Sequence, residues 1–300
     1  MQLQTVMEDE DDVGKIIGPV QIGELFYLLD TCDQSAGGDR TARVDYQTYW
    51  DEYDNYPNLV SVVIPETIIY DDEEYRVVSI GYAAFAFCSR LTFVVLSKTL
   101  RKIEESAFWG CSSLTSIVVP EGVTVIEKNA FYDCPNLATI VLPDSLISIG
   151  DYAFVDSEIT SIRFPDSITE IGAYVFGNSL IPIYNAHLFA KLPHSCSGEY
   201  IVPEGIRTIA KDAFGHYVDE PFSVILPPSV TYIGDQAFRN RGELLSLTCK
   251  AIIPPALGDD VFNLHFCVSI PIYVPAESIE LYKAAPQWQQ LNIHPIPYSK

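Results

Sequence analysis

Apolar and polar positions follow one frame that returns along most of the chain. In residues 114–136, LTSIVVPEGVTVIEKNAFYDCPN, the apolar positions Leu114, Ile117 and Val119 make an LxxIxV strand. Pro120 closes it, at a point where a missing amide donor costs little because the ladder is ending. Val123 and Ile126 open a second short strand, and Ala130 and Phe131 fill a corner ahead of Cys134. The same strand frame holds Leu91, Val94 and Leu96, then Leu137, Ile140 and Leu142, then Ile159, Ile162 and Phe164, with exits at Ser97, Pro143 and Pro165. Corner phenylalanines stand at Phe85, Phe108, Phe131, Phe154, Phe176, Phe214, Phe238 and, in degenerate form, Phe262, giving intervals of 23, 23, 23, 22, 38, 24 and 24 residues.

A period in the twenties with such a strand is the mark of leucine-rich repeats. The predicted fold is mostly β with short helical corners, a right-handed leucine-rich repeat solenoid of about eight coils over residues 59–262. One coil buries too little apolar surface to offset the entropy of ordering it, so neighbouring coils must share main-chain hydrogen bonds and an apolar column. The regular spacing favours one array with caps over two domains. Gly81, Gly150, Gly172 and Gly234 suit a tight bend after the second strand. Because Glu104, Glu127 and Ala210 hold the same slot elsewhere, a left-handed backbone there is not required.

The flanking segments read differently. Residues 1–19 form an acidic, disordered start, and residues 20–58 a β-hairpin lid with arms at 20–28 and 41–46 around Gly37, Gly38 and Asp39. Two arms around an acidic tip are expected at 68–78; the tip lacks the alternating Asp pattern and glycine of a calcium loop. Some fifteen extra residues in the 38-residue interval read as a protruding hairpin near 178–197. Residues 263–300 form a closing cap, a strand at 269–274 and a helix at 275–284, with Ile279, Leu281, Tyr282 and Trp288 as its apolar contacts.

Charge and composition narrow the function. A net charge of −22 with only 18 Lys and Arg argues against nucleic acid, which is bound through cations. No run of eighteen apolar residues is present to span a membrane. The first residues carry no basic and apolar signal pattern, which leaves cytoplasmic and exported locations both open. Cys88, Cys111 and Cys134 each follow a corner phenylalanine by three residues, a ladder expected to hold buried thiols not joined in disulfides.

Catalytic motifs are missing: there is no GxSxG, HExxH, phosphate-binding loop or paired CxxC, and His187, His194, His216, His265 and His294 are scattered. No catalytic, cofactor or metal residue is assigned, and an enzyme is not expected, because a solenoid offers shallow surfaces rather than water-excluding pockets. The strand frame instead turns its third and fifth positions to solvent. In that set Phe93, Val95, Val118 and Val141 are apolar and Arg163 is the one charged break in the fifth column, which makes these five the candidate binding residues. Strand propensity alone also accounts for a β-branched column, so the structural and binding readings both stand. Tyr46, Tyr49, Trp50, Tyr53 and Tyr56, interleaved with carboxylates, offer an alternative sugar-stacking platform or else pack on the first coil.

The repeat, L-x-x-I-x-[VLF]-P-x-[GS]-[VLI]-x-x-I-[GE]-x-x-A-F-x-x-C, resembles that of the BspA-like leucine-rich repeat family over roughly residues 59–291, including IPPALGDDVF and YVPAESIELYKAAPQW near the end. The resemblance implies a cell-surface or secreted solenoid of a host-associated bacterium, without catalytic residues, that engages host or bacterial proteins or glycoproteins, for some members in adhesion to host matrix proteins or in bacterial co-aggregation; no cofactor is expected. It supplies no ligand-contacting residues to carry over. A carbohydrate-binding accessory protein and a spacer without its own ligand are the alternatives, and a monomer is favoured.

Overall fold

A computed structural model describes residues 15–33, 39–46, 56–177, 179, 181–192, 196–215, 221–239, 244–262 and 269–297. These residues are mostly short strands joined by turns, with a six-residue α-helix at Ile279–Ala284. The chain divides into two compact units, Met1–Gly177 and Asn178–Lys300, so the division falls inside the array expected at 59–262.

In the first unit the repeat folds as its frame predicts. The strands Ser116–Val118, Thr139–Val141 and Ser161–Arg163 pair in parallel, with Ile117, Ile140 and Ile162 in register. Ser61–Val63 and Phe93–Val95 make a separate parallel pair. The short second strands Lys102–Ile103, Val125–Ile126, Ser148–Ile149 and Glu170–Ile171 extend a nine-stranded sheet that begins with Ile16–Ile22, Leu25–Asp33, Asp39–Asp45 and Glu73–Ile80. The corner rings fill the interior. Phe85, Phe108, Phe131, Phe154 and Phe176 stack at centroid spacings of 5.2, 5.1, 5.1 and 5.5 Å, all buried. Parallel, offset rings at this distance gain beyond the area they bury.

The corners are turns, not the short helices expected from sequence. Each carries residues in the left-handed region, such as Ser106 (φ 59°), Asn129 (φ 56°) and Tyr152 (φ 58°), and a right-handed helix cannot run through them. The glycine slot is not left-handed at Gly81, Gly150, Gly172 or Gly234; the turned residue comes two positions later, and is Ala83, Tyr152, Tyr174 or Gln236 in these coils. What the slot requires is room. A Cβ on Gly150 would sit 2.5 Å from the Lys128 nitrogen of the preceding coil.

The expected hairpin at 20–58 is a three-stranded meander that starts earlier, at Ile16, inside the segment read as disordered. The stretch taken as its first arm is itself bent at Gly23 (φ 64°), which joins Ile16–Ile22 to Leu25–Asp33. Asp39–Asp45 then pairs in parallel with Glu73–Ile80. The acidic-tipped hairpin is present, Thr67–Tyr70 against Glu73–Ile80, with Asp71 and Asp72 both at positive φ as a two-residue mirror-image turn demands. Glu8 to Asp12 lie outside the described residues.

In the second unit the insertion corrects the sequence reading. Ile183–Tyr184 and Leu188–Lys191 do form a hairpin, but it does not protrude: Leu188–Lys191 is buried throughout and pairs in parallel with Thr208–Ile209. Phe189 is the reason. It begins this unit's ring column, followed by Phe214, Phe238 and Phe262 at 5.1, 4.6 and 5.5 Å. Trp288 meets Phe262 edge-on at 5.8 Å and Tyr282 at 4.9 Å, and its indole N–H donates to the Pro255 carbonyl at 2.8 Å. Leu281, expected to pack, is exposed, because the buried side of so short a helix is set by Tyr282 one position on. A further strand, Asn292–Pro295, lies parallel to Pro271–Val274.

Candidate binding face

The candidate residues are placed by the pleat. With Ile117 and Val119 buried, Ser116 and Val118 must project the other way, because successive strand side chains alternate. Val118 is 61% exposed, Phe93 54% and Val95 40%. Val63 stands in register with Val95 and is 67% exposed. Val118 and Arg163 flank Val141 in register across the three-stranded sheet, although Val141 is half-buried. Phe93 and Val95 share a strand in the two-stranded sheet, so the five residues lie on two small sheets of one unit.

Arg163 is held rather than free to reach outward. Its Nη2 donates to both Asp144 carboxylate oxygens at 2.7 Å, and Nη1 to the Leu142 carbonyl at 2.8 Å. The Asp144 hydrogen bonds push its pKa above the usual arginine value. The guanidinium thus ties its coil to the preceding one, while the side chain as a whole stays exposed.

In the second unit Ile201, Ile225, Thr248, Tyr273 and His294 follow one another across five parallel strands. Tyr273 and His294 extend this column past the point where the sequence frame fades, with rings 6.0 Å apart. A second aromatic column was also missed: Phe87, Trp109 and Tyr132, half-buried on the corners at 5.2 and 5.8 Å. Its signal was an aromatic directly after Phe108 and Phe131.

The sugar-platform candidates fare unevenly. Tyr56 is buried, with its hydroxyl donating to the Asp45 carbonyl at 2.7 Å and accepting from the Phe26 amide at 3.1 Å, while its ring lies 5.4 Å from Phe85. Burial raises its pKa. Tyr46 is half-buried; Tyr49, Trp50 and Tyr53 lie outside the described residues, as do His194, His216 and His265. Among the described residues no three or more His, Cys, Asp or Glu side chains converge as metal ligands, and no helix is long and apolar enough to cross a membrane. Cys88, Cys111 and Cys134 are buried thiols without disulfides. The Cys134 thiol donates to the Phe108 carbonyl at 3.2 Å, and burial pushes its pKa up to about 12, so it is chemically inert.

Stacked parallel coils, a ring column and an LxxIxV sheet define a leucine-rich repeat solenoid. The model of the BspA type leucine rich repeat region matches residues 51–181 and 189–282 in six copies, and the chain belongs to that family. No curated protein matches the sequence. Among solved structures, a leucine-rich repeat protein from Bacteroides ovatus is 20% identical, over 93% of this chain and 100% of its own, with a TM-score of 0.46. A leucine rich cell surface protein from Faecalibacterium prausnitzii is 20% identical over 94% and 95%, with a TM-score of 0.38. The pneumococcal vaccine antigen PcpA is 16% identical over 95% and 100%, with a TM-score of 0.44.

Proposed function

We infer that this chain is a non-enzymatic binding protein, displayed at or released from a bacterial surface, that adheres to a protein or glycoprotein such as host matrix. Its contact surface is the sheet face carrying Phe93, Val95, Val118 and Val141, with Arg163 marking one end. The observation that carries this reading is the exposure of Val63, Phe93, Val95 and Val118 on neighbouring strands, where the interior positions of the same strands are already filled. Contiguous exposed apolar area on a soluble protein marks a contact surface. Membership of the BspA type family supports the surface setting. A sugar platform is less well supported, since Tyr56 has spent its ring and hydroxyl inside the first unit.

A panel of immobilised matrix proteins and glycoproteins tests the reading, with the wild type compared to the Val95→Lys/Val118→Lys/Val141→Lys variant. Capture by the wild type and its loss in the variant, at unchanged circular dichroism, is the expected result. Equal capture by both rejects the sheet face as the contact surface.

A further inference from the structure

Among the described residues the two-stranded sheet has an open side. Ser61–Val63 pairs with Phe93–Val95 alone, and no strand among the described residues lies along its other edge. The direction of its main-chain groups follows from the bonds it makes. The Thr92 amide donates to the Val60 carbonyl at 2.8 Å and the Ile64 amide to the Val95 carbonyl at 2.9 Å. Residues 60, 62 and 64 therefore address the partner strand, and the N–H and C=O groups of Ser61 and Val63 point to the opposite side. The nine-stranded sheet shows the contrast, because there the meander of 16–45 lies against Glu73–Ile80 and continues the ladder.

Three features sit beside this edge. A groove of about 520 Å³ lies at its start, lined by Glu24, the segment 56–60 and Ser61. Val60 and Val63 are among the exposed apolar side chains of the protein. Glu24 places an exposed carboxylate on the groove, in a chain whose net charge is −22. Bare strand edges template the addition of another strand, with backbone bonds giving affinity and alternate side chains giving selectivity. A second copy of this chain would bring the same excess of negative charge to the contact, which opposes self-pairing and favours a cationic partner.

We propose that the outer edge of Ser61–Val63 receives an extended segment of another protein, alternating apolar and basic residues, which adds as a strand to the Ser61–Val63/Phe93–Val95 sheet. Its backbone bonds to the Ser61 and Val63 main chain, its apolar side chains cover Val60 and Val63, and its cations meet the Glu24 side of the groove. This site goes beyond the sheet face, since it is made of main-chain groups and takes a defined type of segment.

The test uses the full chain and a fluorescein-labelled Lys-Val-Lys-Val-Lys-Val peptide, read by fluorescence anisotropy. Three comparisons accompany it: the Glu-Val counterpart, a Lys-Val peptide with alternate amides N-methylated, and the Val63→Pro variant. Proline at 63 removes an outward donor and spares the bonds made by residues 60, 62 and 64, so melting should be unchanged. Saturable binding of the Lys-Val peptide is expected, weakened about tenfold or more by Val63→Pro and by N-methylation, as loss of backbone hydrogen bonds requires. The Glu-Val peptide should bind more weakly than the Lys-Val peptide. Absence of saturable binding overturns the proposal, as does binding indifferent to both backbone changes or equal binding of the acidic peptide. A dimer seen by light scattering and abolished by Val63→Pro also overturns it, by assigning the edge to a second copy. Should Val63→Pro melt early, the N-methylated peptide on the wild type decides alone.

Discussion

At the scale of single residues, the repeat is decided by how closely one coil approaches the next. Gly150 leaves no room for a Cβ against Lys128, whereas Glu127, in the same slot one coil earlier, uses its carboxylate to accept from the Glu105 amide at 2.9 Å and to pair with Lys102 at 2.8 Å. The slot is therefore set by local spacing and not by one backbone conformation. Gly150→Ala should cost about 1–3 kcal/mol, the usual range for forcing volume into a packed contact. Urea unfolding reads this as a lower midpoint at constant slope. Arg163 also changes its meaning at this scale. In sequence it broke an apolar column and stood as a candidate binding residue; in space its donors go to Asp144 and Leu142 of the preceding coil.

At the scale of elements, the strand Leu188–Lys191 carries the least expected feature, a lysine inside the second unit. Lys191 is buried, and the burial lowers its pKa to about 7, against the pull of nearby Asp212. The unfolded chain holds that proton up to the ordinary lysine range near 10.4. Between these values the unfolded state binds more protons, so this group makes stability rise with pH from about 7 upward. Lys191→Met removes this pH dependence, so the stability of the variant relative to the wild type should fall as pH climbs from about 7 toward 10; chemical denaturation across that range checks it. The strand also shows where sequence stops being legible. In the first unit the LxxIxV frame and the corner rings share one spacing, and strands, register and interior can be read from it. In the second unit Phe189 stands 25 residues before Phe214 but outside the A-F corner pattern, so the ring column was read as interrupted and its first strand as a protrusion. The left-handed corners were hidden for another reason: Ala83, Ser106 and Tyr152 occupy them, and none of these residues announces positive φ. Nor did spacing show that Ser61–Val63 has no strand partner on one side among the described residues, because a free edge is a property of neighbours and not of the strand's own residues.

At the scale of the whole molecule, function follows from dividing side chains between an interior that repeats and a face that does not need to. The net charge of −22 favours solubility of a chain with exposed apolar strand positions. Of the candidate face, the exposure of Phe93, Val95 and Val118 was legible in the alternation of the strands; the half-burial of Val141 and the tethering of Arg163 depend on contacts between coils. The division itself is tested most directly by guanidinium unfolding of two single variants in the same central coil, Phe131→Ala and Val118→Lys. Loss of about 3–5 kcal/mol is predicted for Phe131→Ala, as for a fully buried ring. A change within about 0.5 kcal/mol is predicted for Val118→Lys, as for a surface site. A harmless Phe131→Ala, or a Val118→Lys that costs as much as the ring does, would contradict the account.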